Sequence, residues 1–292
     1  PLASDQTGVY PLAVRLAAGA VQVDLTRSSI VWNPDGAGQT VNLSIVAPLA
    51  APVAALPLTT GILSAEELDT LTAQGGPLDT QLTTARAHGL SLGVDPKILA
   101  SIRLLGTNAP ASARDWLARL ESSPSGLFVL AYADADLALQ RRAGVQAPLT
   151  PTSFSVDESL FPVTPEETPS PSGTPTPAGD SPLPTPESLI RLTGAIDGLA
   201  WPSDTGISEK DLDFIAAGGY TRTLTASASI AGTIGASPNV SIGDHSVTVS
   251  DGPISELLRT AAAAETDADW SSTLSSLSCR PSPTASEHPG AT

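Results

Sequence analysis

The chain has one cysteine, no methionine, three histidines and only 4% aromatic residues in 292 positions. The lone Cys279 excludes an internal disulfide framework and any Cys-rich zinc site. It leaves the compartment open, because a domain of this size can stand on its core without crosslinks. His88, His245 and His288 are scattered, with no pair spaced for one helix face, so no metal is expected. Basic residues are also few. Lys97 and Lys210 are the only lysines, and 14 Lys and Arg against 30 Asp and Glu give a net charge of −16. Phosphate binding needs clustered cations, so nucleic acid is excluded as a main partner. No apolar run reaches the roughly eighteen residues of a membrane helix, and no signal-peptide core is visible, so these residues are not expected to span a membrane. Pro1 and the missing methionine fit a piece excised from a longer protein, whose targeting and anchoring elements would lie elsewhere.

Familiar reaction motifs are missing too. There is no Gly-x-Ser-x-Gly elbow, and Ser227 and Ser246 lack a recognisable base. Gly36-Ala37-Gly38 runs into Gln39-Thr40-Val41 with no third glycine and no lysine, so it is no phosphate cradle. Asp134-Ala135-Asp136 matches a metal-phosphate pattern, but a hard cation wants several oxygen ligands and no second acidic cluster follows at matching spacing. The sequon Asn42-Leu43-Ser44 falls in an expected buried strand and is read as chance. No cofactor is expected.

What is present is apolar material: 41% hydrophobic and 15% charged residues, enough for one large core or two smaller ones. Scarce lysine, abundant alanine and the acidic balance fit a high-GC bacterium. Gly8 to Leu16, Val21 to Leu25 and Ile30 to Trp32 predict three strands, with a turn at Ala18-Gly19-Ala20. These residues, within 1–36, look like the last strands of a larger β region.

Residues 37–270 then alternate strand and helix signals, as βα units around a mostly parallel sheet do. Val41 to Pro48, Leu90 to Val94, Leu127 to Tyr132, Gly198 to Trp201, Thr221 to Thr225, Asn239 to Ile242 and Val247 to Ser250 read as strands. Helices are expected after the Ser64 cap and over Pro77 to His88, Ile98 to Leu105, Ser112 to Glu121, Asp134 to Arg142, Glu187 to Leu192, Ser208 to Ala217 and Pro253 to Ala264. Pro162 to Pro186 holds nine prolines in 25 residues and reads as an extended, mobile insertion, an inert surface excursion. The tail, residues 271–292, with Pro281, Pro283 and Pro289, is expected to be disordered.

In βα architectures the carboxyl ends of the strands form the binding face. That rule selects Asp95, Tyr132, Asp134, Trp201, Asp204, Ser227 and Asp251. Carboxylates beside Trp and Tyr suit a carbohydrate, whose rings stack on aromatic faces while its hydroxyls donate to carboxylates. Asp is equally a helix cap, and Asp95, Asp134 and Asp251 all stand where a cap belongs. Asp95, Asp134, Asp204 and Asp251 are the catalytic candidates; Tyr132, Trp201 and Asp136 are the candidate ligand contacts.

Thr7-Gly8-Val9-Tyr10-Pro11-Leu12, Asp95-Pro96, Val129 to Asp136, Leu199-Ala200-Trp201-Pro202 and Ala216-Ala217-Gly218-Gly219-Tyr220 occur in this order. Together they resemble an uncharacterised family of large actinobacterial surface proteins commonly encoded beside the lipid II flippase. The resemblance implies an immunoglobulin-like β region followed by a partial or complete β/α barrel-like domain shaped like polysaccharide-processing enzymes. It also implies an extracytoplasmic, cell-surface location in a membrane-anchored parent. It supplies no reaction, and the chain departs from polysaccharide deacetylases: Pro48 and Leu49 end the first barrel strand where an Asp-Asp motif belongs, and the paired-His motif is missing.

Three functions are therefore expected to compete. The favoured one is a non-catalytic cell-envelope module binding glycan or protein partners in cell-wall assembly. The second is a glycoside hydrolase or other glycan-active enzyme using strand-end carboxylates. The third is a structural spacer, which predicts no concave pocket at the strand ends.

Overall fold

The computed structural model describes residues 8–32, 43–51, 61–123, 126–161, 183–203, 206–230 and 238–278. Asp204, Cys279, His288, Asn42, the Gly36 to Gly38 run and most of the Pro-rich insertion lie outside the described residues.

Where the sequence alternates apolar and polar residues around Gly19, the chain folds back as an antiparallel hairpin of β1 (Gly8–Ala18) and β2 (Val21–Trp32). The expected second and third strands are one continuous strand, because Thr26 to Ser29 pair unbroken with Val14 back to Pro11 instead of turning. One face of the hairpin stays exposed: Leu12, Val14 and Leu16 share it with Ile30 and Trp32.

The α/β body begins with β3 (Val46–Leu49). Next come α1 (Ala65–Thr72) and α2 (Pro77–His88). Ser64 opens α1 through a reciprocal capping box with Glu67, and Gly89 closes α2 in the left-handed conformation that glycine adopts without strain. After β4 (Ser91–Val94), Asp95 caps α3 (Pro96–Leu104), and α4 (Ala111–Glu121) precedes β5 (Leu127–Val129). β3, β4 and β5 pair in parallel and in sequence order. Their core holds Leu68, Leu82, Leu92, Ile98 and Leu120 around Trp116, which is fully buried and donates its indole N–H to the Leu78 carbonyl at 3.0 Å. Gly93 is required by close packing: a Cβ there would lie 2.8 Å from both Leu130 Cδ2 and Phe128 Cζ.

α5 (Leu137–Arg142), α6 (Pro186–Ile190) and β6 (Leu199–Ala200) lead to α7 (Glu209–Ala217) and β7 (Arg222–Ala226). β8 (Asn239–Ile242) and β9 (His245–Ser250) form a hairpin, and α8 (Gly252–Ala262) and α9 (Asp267–Ser278) follow. β6, β7 and β9 are parallel neighbours, while β8 lies antiparallel on the far side of β9. A single parallel bridge from Phe128 to Ile196 links β5 toward this second sheet. Leu212, Val247 and Val249 pack where α7 covers the second sheet, and Leu137, Ala200 and Ile215 pack between α5, β6 and α7. Buried Asp211 of α7 is held by Ser208 and by Arg141 of α5, with Nε–Oδ1 at 2.5 Å.

The fold is thus mixed α/β, with the parallel order expected of βα units and sheets that do not close on themselves. Two expectations need correction. The tail is helical as far as Ser278, since α9 rests against α8 and β2 and therefore has a surface to order it. The helix read from Asp134 begins only at Leu137, because the backbone at Ala133 and Asp134 is left-handed and cannot enter a helix. Among the described residues no helix is long and apolar enough to cross a membrane.

Candidate functional site

At the carboxyl end of β5 the chain makes a tight turn over Tyr132 to Asp134 before α5. Ala133 has φ 57° and Asp134 φ 52°, and these are the only non-glycine residues with positive φ among those described. Such a conformation costs an L-residue about 1–2 kcal/mol, so something must hold it. The holder is Asp95, at the end of the neighbouring strand. Its Oδ1 accepts from the Lys97 amide at 2.9 Å, capping α3, and from the Ala133 amide at 2.9 Å.

Asp95 is 2% exposed. Burial pushes its carboxyl up to about 6, the nearby Asp134 charge adds to this, and the two backbone donors and Lys97 oppose it. Asp134 is raised as well, by partial burial and then by the charge of Asp136. The carboxyls of Asp95, Asp134 and Asp136 therefore form a run of unfavourable charges across the ends of the neighbouring strands β4 and β5.

Capping duty falls unevenly along the rim. Asp95 caps α3, and Asp251 caps α8 by accepting from the Ile254 amide at 2.9 Å. At β5 the cap is Asp136, which accepts from Ala138 at 2.9 Å and from the Ser203 hydroxyl at 2.6 Å. Asp134, expected as a cap, is not one: its left-handed backbone turns the carboxylate away from the helix start. It alone of the described catalytic candidates is left for other chemistry.

Asp134 and Asp136 line a cleft of about 290 Å³ with Trp201, Pro48, Leu130, Ala135, Pro202 and Ser203. Its walls come from the carboxyl ends of β3, β5 and β6. Trp201 is half-buried and leans on Phe128, with ring centroids 6.2 Å apart and a tilt of 40°, which fixes the indole at the mouth. Exposed Pro48 and buried Leu130 supply the apolar part of the lining beside the acidic side.

The structure thus brings Asp134, Asp136 and Trp201 together and leaves the other described candidates outside the cleft. Asp95 lies beneath it as a support. Tyr132 faces the other way: its hydroxyl donates to the Gly61 carbonyl at 2.6 Å, and its ring stands 5.8 Å from that of Phe154. Burial and then the Asp95 charge push the Tyr132 phenol up to about 12, so it is a neutral donor. Asp251 sits over β9, beside Ser227, whose hydroxyl oxygen accepts from the Gly252 amide at 3.0 Å. Asp204 is outside the described residues. Among those described, no group of three His, Cys, Asp or Glu residues is placed to hold a metal ion.

Sequence reasoning missed Pro48, Leu130, Ala135, Pro202 and Ser203 as lining residues. Ser203 had a usable signal, a hydroxyl two positions after a strand-end Trp. The other residues are apolar and carry none. Comparison with protein-family models, with curated proteins and with solved structures finds no match to this chain.

Proposed function

We propose that this protein is a non-catalytic, extracytoplasmic module of the cell envelope that binds glycan through the cleft between β5 and β6. On this reading the hairpin belongs to an immunoglobulin-like region, residues 1–36, and the body, residues 37–270, is barrel-like. The body's support is the parallel order β3–β4–β5 in one sheet and β6–β7–β9 in the other. The observation that carries the function is the meeting of Trp201 with Asp134 and Asp136 in one cleft at the strand ends. An indole face stacks on the C–H face of a pyranose, while carboxylates accept its hydroxyl hydrogens. A turn held in advance by Asp95 presents Asp134 without an ordering cost on binding.

Hydrolysis fits less well. Glycoside hydrolysis needs two carboxyl groups flanking one bond. Here Asp95 is spent on two backbone amides beneath the cleft, and Asp136 on a cap and a serine. Among the described residues, that leaves Asp134 without a partner suited to acid–base exchange. A pure spacer would have no use for a strained turn beneath a concave pocket.

Calorimetric titration with soluble peptidoglycan fragments tests the reading. Trp201→Ala is expected to weaken binding at least about tenfold, or about 1.4 kcal/mol, and Asp134→Asn to weaken it less. Equal affinity of wild type, Trp201→Ala and Asp134→Asn would overturn it.

A further inference from the structure

The cleft between β5 and β6 carries charge of one sign. Asp134 and Asp136 line it, and none of its other described lining residues is a cation. Elsewhere in the body a carboxylate held against the fold has a cation of its own: Asp79 pairs with Arg119 and Asp211 with Arg141, each at 2.5 Å, and Glu121 pairs with Arg103 at 2.8 Å. Among the described residues, Asp134 and Asp136 have no such partner. Asp136 is at least hydrogen-bonded, accepting from the Ala138 amide at 2.9 Å and the Ser203 hydroxyl at 2.6 Å, whereas no described group donates to the Asp134 carboxylate. Partial burial and then the Asp136 charge raise Asp134, the direction expected of a carboxylate with a like charge beside it and no opposite one.

A ligand entering here meets two like charges, an indole and an apolar wall. An anion is repelled, so phosphorylated sugars and uronic acids are unsuited. Neutral hydroxyls can donate to the carboxylates but leave their mutual repulsion in place. An ammonium offsets it. Its three N–H donors make charge-assisted hydrogen bonds, about twice as strong as neutral ones, and a cation near an aromatic face gains most beside tryptophan. A bare hard cation is served less well, because it wants about six to eight oxygens and no three His, Cys, Asp or Glu residues among those described are placed to hold one. The volume of about 290 Å³ lies at the small end of ligand sites, which suits a single ring. We infer that the cleft selects amino sugars whose nitrogen is unacylated, the ammonium donating to Asp134 and Asp136 and the ring lying on Trp201. The sugar ring rests on the glycan reading of the cleft; the ammonium does not.

The test is a calorimetric titration of the whole chain at low salt with glucosamine, glucose, N-acetyl-glucosamine and cyclohexylamine, at a pH where both amines are protonated. Glucosamine is expected to bind about tenfold tighter than glucose or N-acetyl-glucosamine, which lack the charge. Added salt should shrink that advantage, as it screens an interaction between charges. Asp134→Asn keeps a side chain that tolerates the left-handed backbone, so it is expected to cancel most of the advantage without lowering the melting temperature. Trp201→Ala is expected to weaken every sugar. Equal binding of glucosamine and glucose, or an advantage undiminished in Asp134→Asn, would overturn the ammonium site. If Trp201→Ala still weakened both sugars in that case, the glycan reading would stand alone. Cyclohexylamine bound as tightly as glucosamine, with glucose not bound at all, would keep the ammonium site and overturn the sugar.

Discussion

At the end of β9 the chain passes from Ser250 through Asp251 directly into α8, whereas at the end of β5 it spends residues 130–136 before α5 begins. Both junctions start from a parallel strand and finish on a capped helix. At β9 one Asp does all the work: it accepts from Ile254, and the Gly252 amide is taken up by Ser227. At β5 the cap has moved on to Asp136, the backbone turns left-handed at two residues with side chains, and a neighbouring strand lends Asp95 to hold the turn. The lesson is that a strand-end Asp becomes available for a ligand only when another residue has relieved it of capping. The surplus is visible as strain and as displaced carboxyl pKa values.

The largest effect should appear with pH. The folded-state pKa of Asp95 is raised above its ordinary value of 3.8 to about 6, so the native state holds this proton more tightly than the unfolded chain does. Its contribution is therefore complete below about pH 4 and is lost as the pH rises through about 6, a decline of up to about 3 kcal/mol. Urea melts at stepped pH should show that decline in wild type and not in Asp95→Asn.

Next is the cap itself. Measured at pH 5, where the native Asp95 carboxyl is largely protonated, Asp95→Ala should cost about 2 kcal/mol, because α3 loses its cap and the Ala133 amide loses its acceptor. Asp251→Ala should cost about 1 kcal/mol, an ordinary cap. Equal costs would erase the contrast between the two junctions. The smallest effect tests the strain: Ala133→Gly should gain about 0.5–1 kcal/mol, since glycine adopts φ near 57° freely. The same variant should bind glycan more weakly than wild type, as the turn loses its preset geometry.

Much of the body was legible because its signals are local. Pro77 and Gly89 bound α2 as read, Ser64 and Ser208 open their helices through capping boxes, and Asn239 to Ile242 is a strand with the expected limits. What failed depends on distant partners. β2 absorbs two expected strands because its register with β1 continues through Thr26 to Ser29. α9 is ordered by contact with β2, some two hundred and fifty positions away, as the Ser29 to Ser275 bond separated by 246 residues illustrates. Within the site, the strand-end rule found Asp134 and Trp201, and the Asp-x-Asp pattern pointed to Asp136. It could not divide capping from spare carboxylates, since that division is set by the backbone angles at Ala133 and Asp134. Tyr132 was read onto the wrong side for the same reason.

The long bond between hairpin and last helix also has a mechanical side. Ser29 Oγ meets the Ser275 carbonyl at 3.3 Å, and the Ser275 hydroxyl meets that of Ser28 at 3.4 Å. The α/β layers therefore sit inside a loop of chain buckled shut by β2 and α9. A load applied between the first hairpin and the last helix reaches this buckle before it reaches the βα layers, and hydroxyl contacts of such length yield early. Stretching is expected to open the buckle first and leave the cleft intact.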